Sequence, residues 1–284
     1  MSDAKAIADH WDQGDIYGRI VSVLRQMSKP LDRLTIEDLA PVDHYHARGF
    51  PATVELADRL PIQAGQHVID IGCGLGGPAR YIARRFGCTV SGLDITPSFV
   101  EAANKLTALL RMEQQVRVEL GDGQHLPYSD AMLDGGFTQH VTMNVSDRTR
   151  FFGEAFRVLK PGGFFALTEH ALGPTGHPHH PVPWSADGSG SWLVTPDETD
   201  AYLRAAGFEK IVVEHTGPKY AAGYQAAIEK SEQGALPPLG LHLLLGDSAL
   251  QKTRNAARNI LEGRTDPIQV VCRKPGCTPL PTAI

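Results

Sequence analysis

The sequence predicts an α/β fold in which a mostly parallel, seven-stranded sheet is sandwiched between helices, and three observations predict it. The run His67-Val-Ile-Asp-Ile71 is apolar with a single carboxylate, as suits a buried parallel strand, and it stops at glycines 72, 74, 76 and 77. Short apolar segments at 89–94, 116–120, 132–141 and 164–170 then alternate with stretches of helical spacing. Two late strands, 208–215 and 269–273, are separated by about 50 residues, far more than a hairpin turn needs.

In chain order, Ile16, Ile20, Val21, Val23 and Leu24 recur at roughly helical spacing and mark an amphipathic N-terminal helix, with Trp11 and Tyr17 near its start. Residues 36–49 carry Asp38, Pro41, Asp43, His44, His46 and Arg48 and lead into a helix over 52–60, ended before Pro61. After the first strand, the glycines let the backbone turn tightly or approach a ligand. Pro78 opens the next helix, Tyr81, Ile82 and Phe86 face inward, and Gly87 stops it. The second strand ends at Asp94; Thr96 at the N-cap and Pro97 at the first helical position then begin a helix through about residue 110.

The third strand alternates over 116–120 and is followed by Gly121-Asp-Gly-Gln-His125. The fourth, over 132–141, runs into Thr138-Gln-His-Val-Thr-Met-Asn144. A helix over 147–159 and the turn Lys160-Pro-Gly-Gly163 lead to the fifth strand, which closes on Glu169 and His170, both expected on the ligand face. Residues 173–192, with four prolines, histidines 177, 179 and 180, and Trp184 and Trp192, are too long for an ordinary connection and read as a substrate loop with aromatic walls. Thr195 and Pro196 start a helix that ends at Gly207. Between the last two strands, the apolar run 236–245 and a helix over 248–262 predict a helical cap over an acceptor pocket, with dimerisation as the rival role. The expected organisation is an N-terminal helical lid (1–60), a core (61–216) holding the substrate loop (171–195), the cap (217–265), and a last strand and tail (266–284).

A net charge of −5 and a pI near 6.2 argue against a nucleic-acid partner, which calls for a basic face. Cysteines 73, 88, 272 and 277 form no Cys-x-x-Cys pair and follow no secretory leader, so reduced thiols in the cytoplasm are expected. No apolar run approaches the roughly 18–20 residues of a membrane span. The pair His44 and His46, and the group His170, His177, His179 and His180, lack metal-ligand spacing, and no metal is expected.

The pattern Gly72-x-Gly74-x-x-Gly77, with Asp94 further on, also satisfies a dinucleotide fingerprint. Asp70 separates the two readings. A carboxylate beside the glycine turn repels a pyrophosphate but attracts an ammonium. S-adenosylmethionine carries an ammonium and a sulfonium and no phosphate.

Val68-Ile-Asp-Ile-Gly-Cys-Gly-Leu-Gly-Gly77, Asp94, Gly121-Asp-Gly-Gln-His-Leu-Pro127 and Arg157-Val-Leu-Lys-Pro-Gly-Gly163 together resemble a class I S-adenosylmethionine-dependent methyltransferase with a Rossmann-like core. Asp43-His-Tyr-His-Ala-Arg-Gly49 is similar to the segment before the cofactor domain in small-molecule methyltransferases of the sarcosine/dimethylglycine, phosphoethanolamine and tocopherol group, with His44 where Gln is usual and Arg48 where Gly is usual. The resemblance places His46 and Gly49 near the methionine end of the cofactor, gives the N-terminal helices a lid role with Tyr17 as a substrate contact, and favours an amine acceptor. The expected cofactor residues are His46, Asp70, Gly72, Gly74, Asp94 at the ribose, the following Ile95 and Thr96, then Asp122, Gly123 and Gln124 at adenine, and Gln139. His140 is the main catalytic candidate, because a neutral imidazole accepts a proton near neutral pH, with His170 and Tyr17 beside it. O-, C- or S-methylation, a homodimer, a non-catalytic S-adenosylmethionine-binding protein and an NAD-dependent oxidoreductase are the alternatives.

Overall fold

A computed structural model describes residues 3–12, 14–46 and 48–276. Its centre is a seven-stranded sheet in the order β3-β2-β1-β4-β5-β7-β6. The strands are β1 (His67–Ile71), β2 (Thr89–Asp94), β3 (Val116–Leu120), β4 (Leu133–Gln139), β5 (Leu159–Leu172), β6 (Glu209–His215) and β7 (Thr265–Arg273). The first five run parallel, and β7 lies antiparallel between β5 and β6.

Alternation along the strands builds a core on each face of the sheet. On one face Val68, Val90, Phe137 and Phe164 pack with helices α4 (Phe50–Ala57) and α5 (Gly77–Phe86). On the other, Ile69, Ile71, Leu93 and Phe165 pack with α7 (Arg148–Val158) and α8 (Pro196–Ala206). A third cluster joins α2 (Ile16–Gln26) and α3 (Ile36–Asp43) to α6 (Pro97–Leu109) and to Leu239 and Leu244. Helix α1 (Asp3–Trp11) precedes them. Between β6 and β7 stand α9 (Gly217–Glu232), α10 (His242–Leu245) and α11 (Ala249–Leu261), where the cap was expected. No helix among the described residues is long and apolar enough to cross a membrane.

The helix stops follow their chemistry. Gly87 takes a left-handed conformation and its N–H bonds Ala83 O, while Thr195 and Glu198 form a reciprocal capping box at α8. Thr96 occupies the N-cap of α6, but its side chain makes no capping bond; the Asp94 carboxylate accepts from the Thr96 N–H instead. The expected helix over 52–60 starts earlier, at Phe50 behind Gly49, and ends at Ala57. Cys73, Cys88 and Cys272 are free and buried; Cys277 lies outside the described residues.

Candidate active site

The carboxyl ends of the parallel strands open into a cavity of about 490 Å³, within the range of small-molecule sites. Its lining includes Ile7 and Trp11 of α1, Trp184 of the loop after β5, Leu245 of α10 and Leu250 of α11.

On the glycine side, Gly72 has φ +74°, and a Cβ there would stand 2.2 Å from Val141 Cγ2, so only glycine fits. The Gly74 N–H donates to Asp94 Oδ2 at 2.8 Å and the Thr96 N–H to Asp94 Oδ1 at 2.9 Å. Each oxygen of Asp94 keeps a lone pair for a hydroxyl donor. Asp70 is buried, its Oδ2 has no partner, and burial, reinforced by the nearby Asp94 charge, raises its carboxyl well above the ordinary range. Asp122 accepts from the Gln124 N–H at 2.9 Å, and Gln124 Oε1 accepts from the Asp147 N–H at 3.2 Å, tying this loop to the start of α7. Ile95, Gly123 and Gln139 also line the cavity.

The opposite side is a cluster of histidines. His140 follows β4 with φ +57°, unusual for a residue with a Cβ, and its N–H bonds Thr168 O at 2.7 Å. Its Nε2 lies 2.8 Å from Tyr220 Oη, and His170 Nε2 lies 3.1 Å from Tyr224 Oη. His46 stacks on His140 with ring centroids 5.5 Å apart, and His170 stacks on Trp184 at 4.8 Å. Burial drives all three imidazoles toward the neutral form: His140 well below the ordinary imidazole range, helped by His170 and His46, and His46 and His170 to about 3. Behind them, Thr53 Oγ1 lies within hydrogen-bond distance of His44, His46 and Gln139.

His46, Asp70, Gly72, Gly74, Asp94, Ile95, Thr96, Asp122, Gly123, Gln124 and Gln139 all line this cavity, as do His140 and His170, whereas Gly49 is not part of its lining and stands at the N-cap of α4. Tyr17 does not: its ring packs in the α2–α6 cluster, with Lys105 Nζ 5.1 Å from its centroid. Glu169 also turns away from the ligand face. Adjacent strand residues point to opposite faces, so Glu169 and His170 do not share one. Glu169 is instead buried against Arg148, Thr142 and Thr199. Trp192 lines a neighbouring cleft, and its carbonyl accepts from Arg148. Among the described residues no group of His, Cys, Asp or Glu is arranged to hold a metal ion. Thr53, Tyr220 and Tyr224 escaped the sequence reading; for the tyrosines, the i, i+4 spacing behind Gly217-Pro218 was the available signal.

Strand order, the glycine turn after β1 and the acid that ends β2 define a Rossmann-like nucleoside site, and the unpartnered Asp70 suits a cationic rather than a phosphorylated cofactor. A family model described as a methyltransferase domain matches residues 69–167. The chain is 32% identical to methyltransferase GfsG of Streptomyces halstedii over 157 residues, 55% of this chain and 56% of that protein. It is 34% identical over 193 residues to 27-O-demethylrifamycin SV methyltransferase of Amycolatopsis mediterranei, 64% of this chain and 69% of that one. The chain thus spans about half the length of GfsG and somewhat more of the second relative. A solved structure of geranyl diphosphate C-methyltransferase from Streptomyces coelicolor, in complex with S-adenosyl-L-homocysteine, superposes with a TM-score of 0.72 at 17% identity, covering 96% of this chain and 98% of that one. The chain belongs to the S-adenosylmethionine-dependent methyltransferase family.

The residues present fit that cofactor. Asp94 retains acceptor capacity for a ribose, Asp70 offers a buried unpartnered carboxyl, and His46 Nδ1 and Gln139 Nε2 are buried polar atoms without partners in the same cavity.

Proposed function

We propose that the protein transfers a methyl group from S-adenosylmethionine to a hydroxyl oxygen of a neutral, largely apolar small molecule. The observation that carries the acceptor half is the cavity wall. Ile7, Trp11, Trp184, Leu241, Leu245 and Leu250 supply apolar surface, and the carboxylates that line the cavity are Asp70, Asp94 and Asp122 at the strand ends and the exposed Asp3 of α1. Among the described residues of the lining, no buried carboxylate is left over for an ammonium beyond the cofactor.

When bound, S-adenosylmethionine supplies a methyl carbon activated by a sulfonium. Asp94 and Asp122 hold its nucleoside half, and Asp70, His46 and Gln139 its amino-acid half. The N-terminal helices act as a lid and α9 to α11 as a cap, excluding water and aligning the acceptor; alignment of this kind lowers a barrier by about 7–11 kcal/mol. His140 is held neutral by burial, so its imidazole has a lone pair ready for the proton that a hydroxyl must release. A freshly methylated hydroxyl is a far stronger acid than an imidazolium, so even an imidazole weakened by burial takes that proton. An amine, by contrast, would become a cation among neutral rings. This favours the hydroxyl over the amine that the sequence resemblance implies, and the relative from Amycolatopsis mediterranei is likewise named for an O-demethyl acceptor. The acidic balance of the chain supports a small-molecule acceptor over a nucleic acid, and buried free thiols support a cytoplasmic setting, with dimerisation as the other use of the cap.

The test is transfer of labelled methyl to a mixed panel of apolar alcohols and phenols, sarcosine, phosphoethanolamine and thiols, read by mass spectrometry. Label on a hydroxyl oxygen is expected. Label confined to an amine nitrogen would overturn the acceptor reading, and no calorimetric binding of S-adenosylmethionine would overturn the whole.

A further inference from the structure

Thr53, on α4, is not itself part of the cavity lining, yet its hydroxyl sits at a junction of three polar atoms. Oγ1 is 2.9 Å from His44 Nδ1, 3.1 Å from His46 Nε2 and 3.2 Å from Gln139 Oε1. All four residues are buried, Thr53 and His44 completely. A hydroxyl has one proton and two lone pairs. With the Gln139 amide placed so that its oxygen faces Thr53, that oxygen has nothing to donate, and the single hydroxyl proton goes to it. Both imidazoles must then donate to Thr53, which fixes their tautomers: His44 carries its proton on Nδ1 and His46 on Nε2. Burial keeps both rings neutral, each pKa lowered to about 3. His44 Nε2, 3.7 Å from Asp43 Oδ1, is beyond hydrogen-bond range and offers no competing arrangement.

On the two residues of this junction that line the cavity, one polar atom each is left over. His46 Nδ1 is a bare acceptor and Gln139 Nε2 an unused donor; both are buried without partners, on residues that line the cavity together with Asp70. An unsatisfied buried polar group is costly, so a ligand that meets both recovers that cost. The group that presents a donor and an acceptor a few bonds apart, and also suits a neighbouring carboxyl, is an α-amino acid zwitterion.

We infer that Thr53 is a positioning residue that sets His46 Nδ1 and Gln139 Nε2 as a paired subsite, receiving the ammonium on His46 and Asp70 and the carboxylate on Gln139, and so selects nucleosides that keep their amino-acid tail. The inference rests on the cavity being the S-adenosylmethionine site.

Calorimetric titration with two ligands tests it: S-adenosylhomocysteine, which has the tail, and 5′-methylthioadenosine, which lacks it. Thr53→Val removes the hydroxyl at nearly constant volume, and the loss of a buried junction of this kind is expected to weaken S-adenosylhomocysteine about tenfold while leaving 5′-methylthioadenosine within about twofold. Thr53→Ser restores the tail-bearing ligand. Gln139→Glu, which sets a carboxylate against the ligand's own, supplies the same comparison should Thr53→Val not fold, and it too should lose S-adenosylhomocysteine selectively. Equal weakening of both ligands, or of neither, would overturn the inference while leaving the proposed function intact. Absence of wild-type binding to either ligand would overturn the proposed function and the inference with it.

Discussion

Replacing Glu169 with glutamine separates a carboxylate that holds the fold together from one that meets a ligand. Its oxygens accept from Thr142 Oγ1 at 2.6 Å, Thr199 Oγ1 at 2.7 Å and Arg148 Nη1 at 2.9 Å. The Glu169 side chain is fully buried and that of Arg148 is 2% exposed, so water does not replace a lost partner. Glutamine keeps the shape, but its NH₂ group accepts nothing, and the Arg148 guanidinium loses its closest counter-charge. Removing one partner of a buried ion pair costs about 3–5 kcal/mol. That is a large part of the ~5–15 kcal/mol by which a typical domain is stable. Urea unfolding at neutral pH should show a lower midpoint with an unchanged slope. At a temperature where the variant is folded, its affinity for S-adenosylhomocysteine and its KM for the acceptor should match the wild type. A stability loss below about 1 kcal/mol, the range of an exposed pair, combined with a raised acceptor KM would refute the structural role.

Three further outcomes are expected. His140→Ala should lower turnover by roughly 10²–10⁴-fold with the cofactor Kd unchanged, and because burial holds His140 below the ordinary imidazole range, wild-type turnover should stay flat on acidification from about pH 8 to 6.5; a tenfold fall across that interval would contradict the assignment. His44, His46 and His170, lowered by burial to about 3, stay neutral in the fold while the unfolded chain protonates near pH 6.5, so stability is full above that pH and declines as pH falls toward 3. Between pH 7 and 5.5 each should remove about 1 kcal/mol in urea titrations, on the order of 3 kcal/mol together, and a flat profile would show that they are not buried neutral. Gly77→Ala would place a Cβ 2.3 Å from the Asp43 carbonyl, beside the buried Arg80–Asp43 ion pair, and should cost about 1–3 kcal/mol in thermal or urea unfolding; an unchanged midpoint would argue against this close approach of α3 to α5.

The sheet was legible because its signals are local. Apolar runs ending at Asp70 and Asp94, glycines with no room for a Cβ, and Pro-opened, Gly-closed helices each carry their meaning within a few residues. The residues proposed to hold the cofactor come from the same motifs, since strand ends fix where Asp70, Asp94, Asp122 and Gln139 emerge into the cavity. The acceptor side was harder, because it joins residues distant in the chain. His140 meets Tyr220 across 80 positions, and Thr53 meets Gln139 across 86. Neither pairing leaves a periodic trace. Tyr17 was misplaced because the resemblance implies a lid over the site without saying which side chains of that lid face it: the Tyr17 ring joins the packing of α2 on α6. The expectation for Glu169 overlooked the pleat, which sends neighbours to opposite faces, and a buried arginine partner was on the far side to receive it.

The helical insertion leaves the sheet after His215 and returns at Thr265, and His215 pairs directly with Ile268. Its two ends are therefore clamped side by side by sheet hydrogen bonds whatever lies between them. Lengthening such a clamped excursion is thermodynamically cheap, about 0.6 kcal/mol of closure entropy for each doubling. The five parallel strands that present the glycine turn and its acids are untouched by such a change. The segment from α9 to α11 is therefore expected to tolerate changes of length and sequence without disturbing the sheet, so long as Tyr220 and Tyr224 still arrive beneath the two histidines.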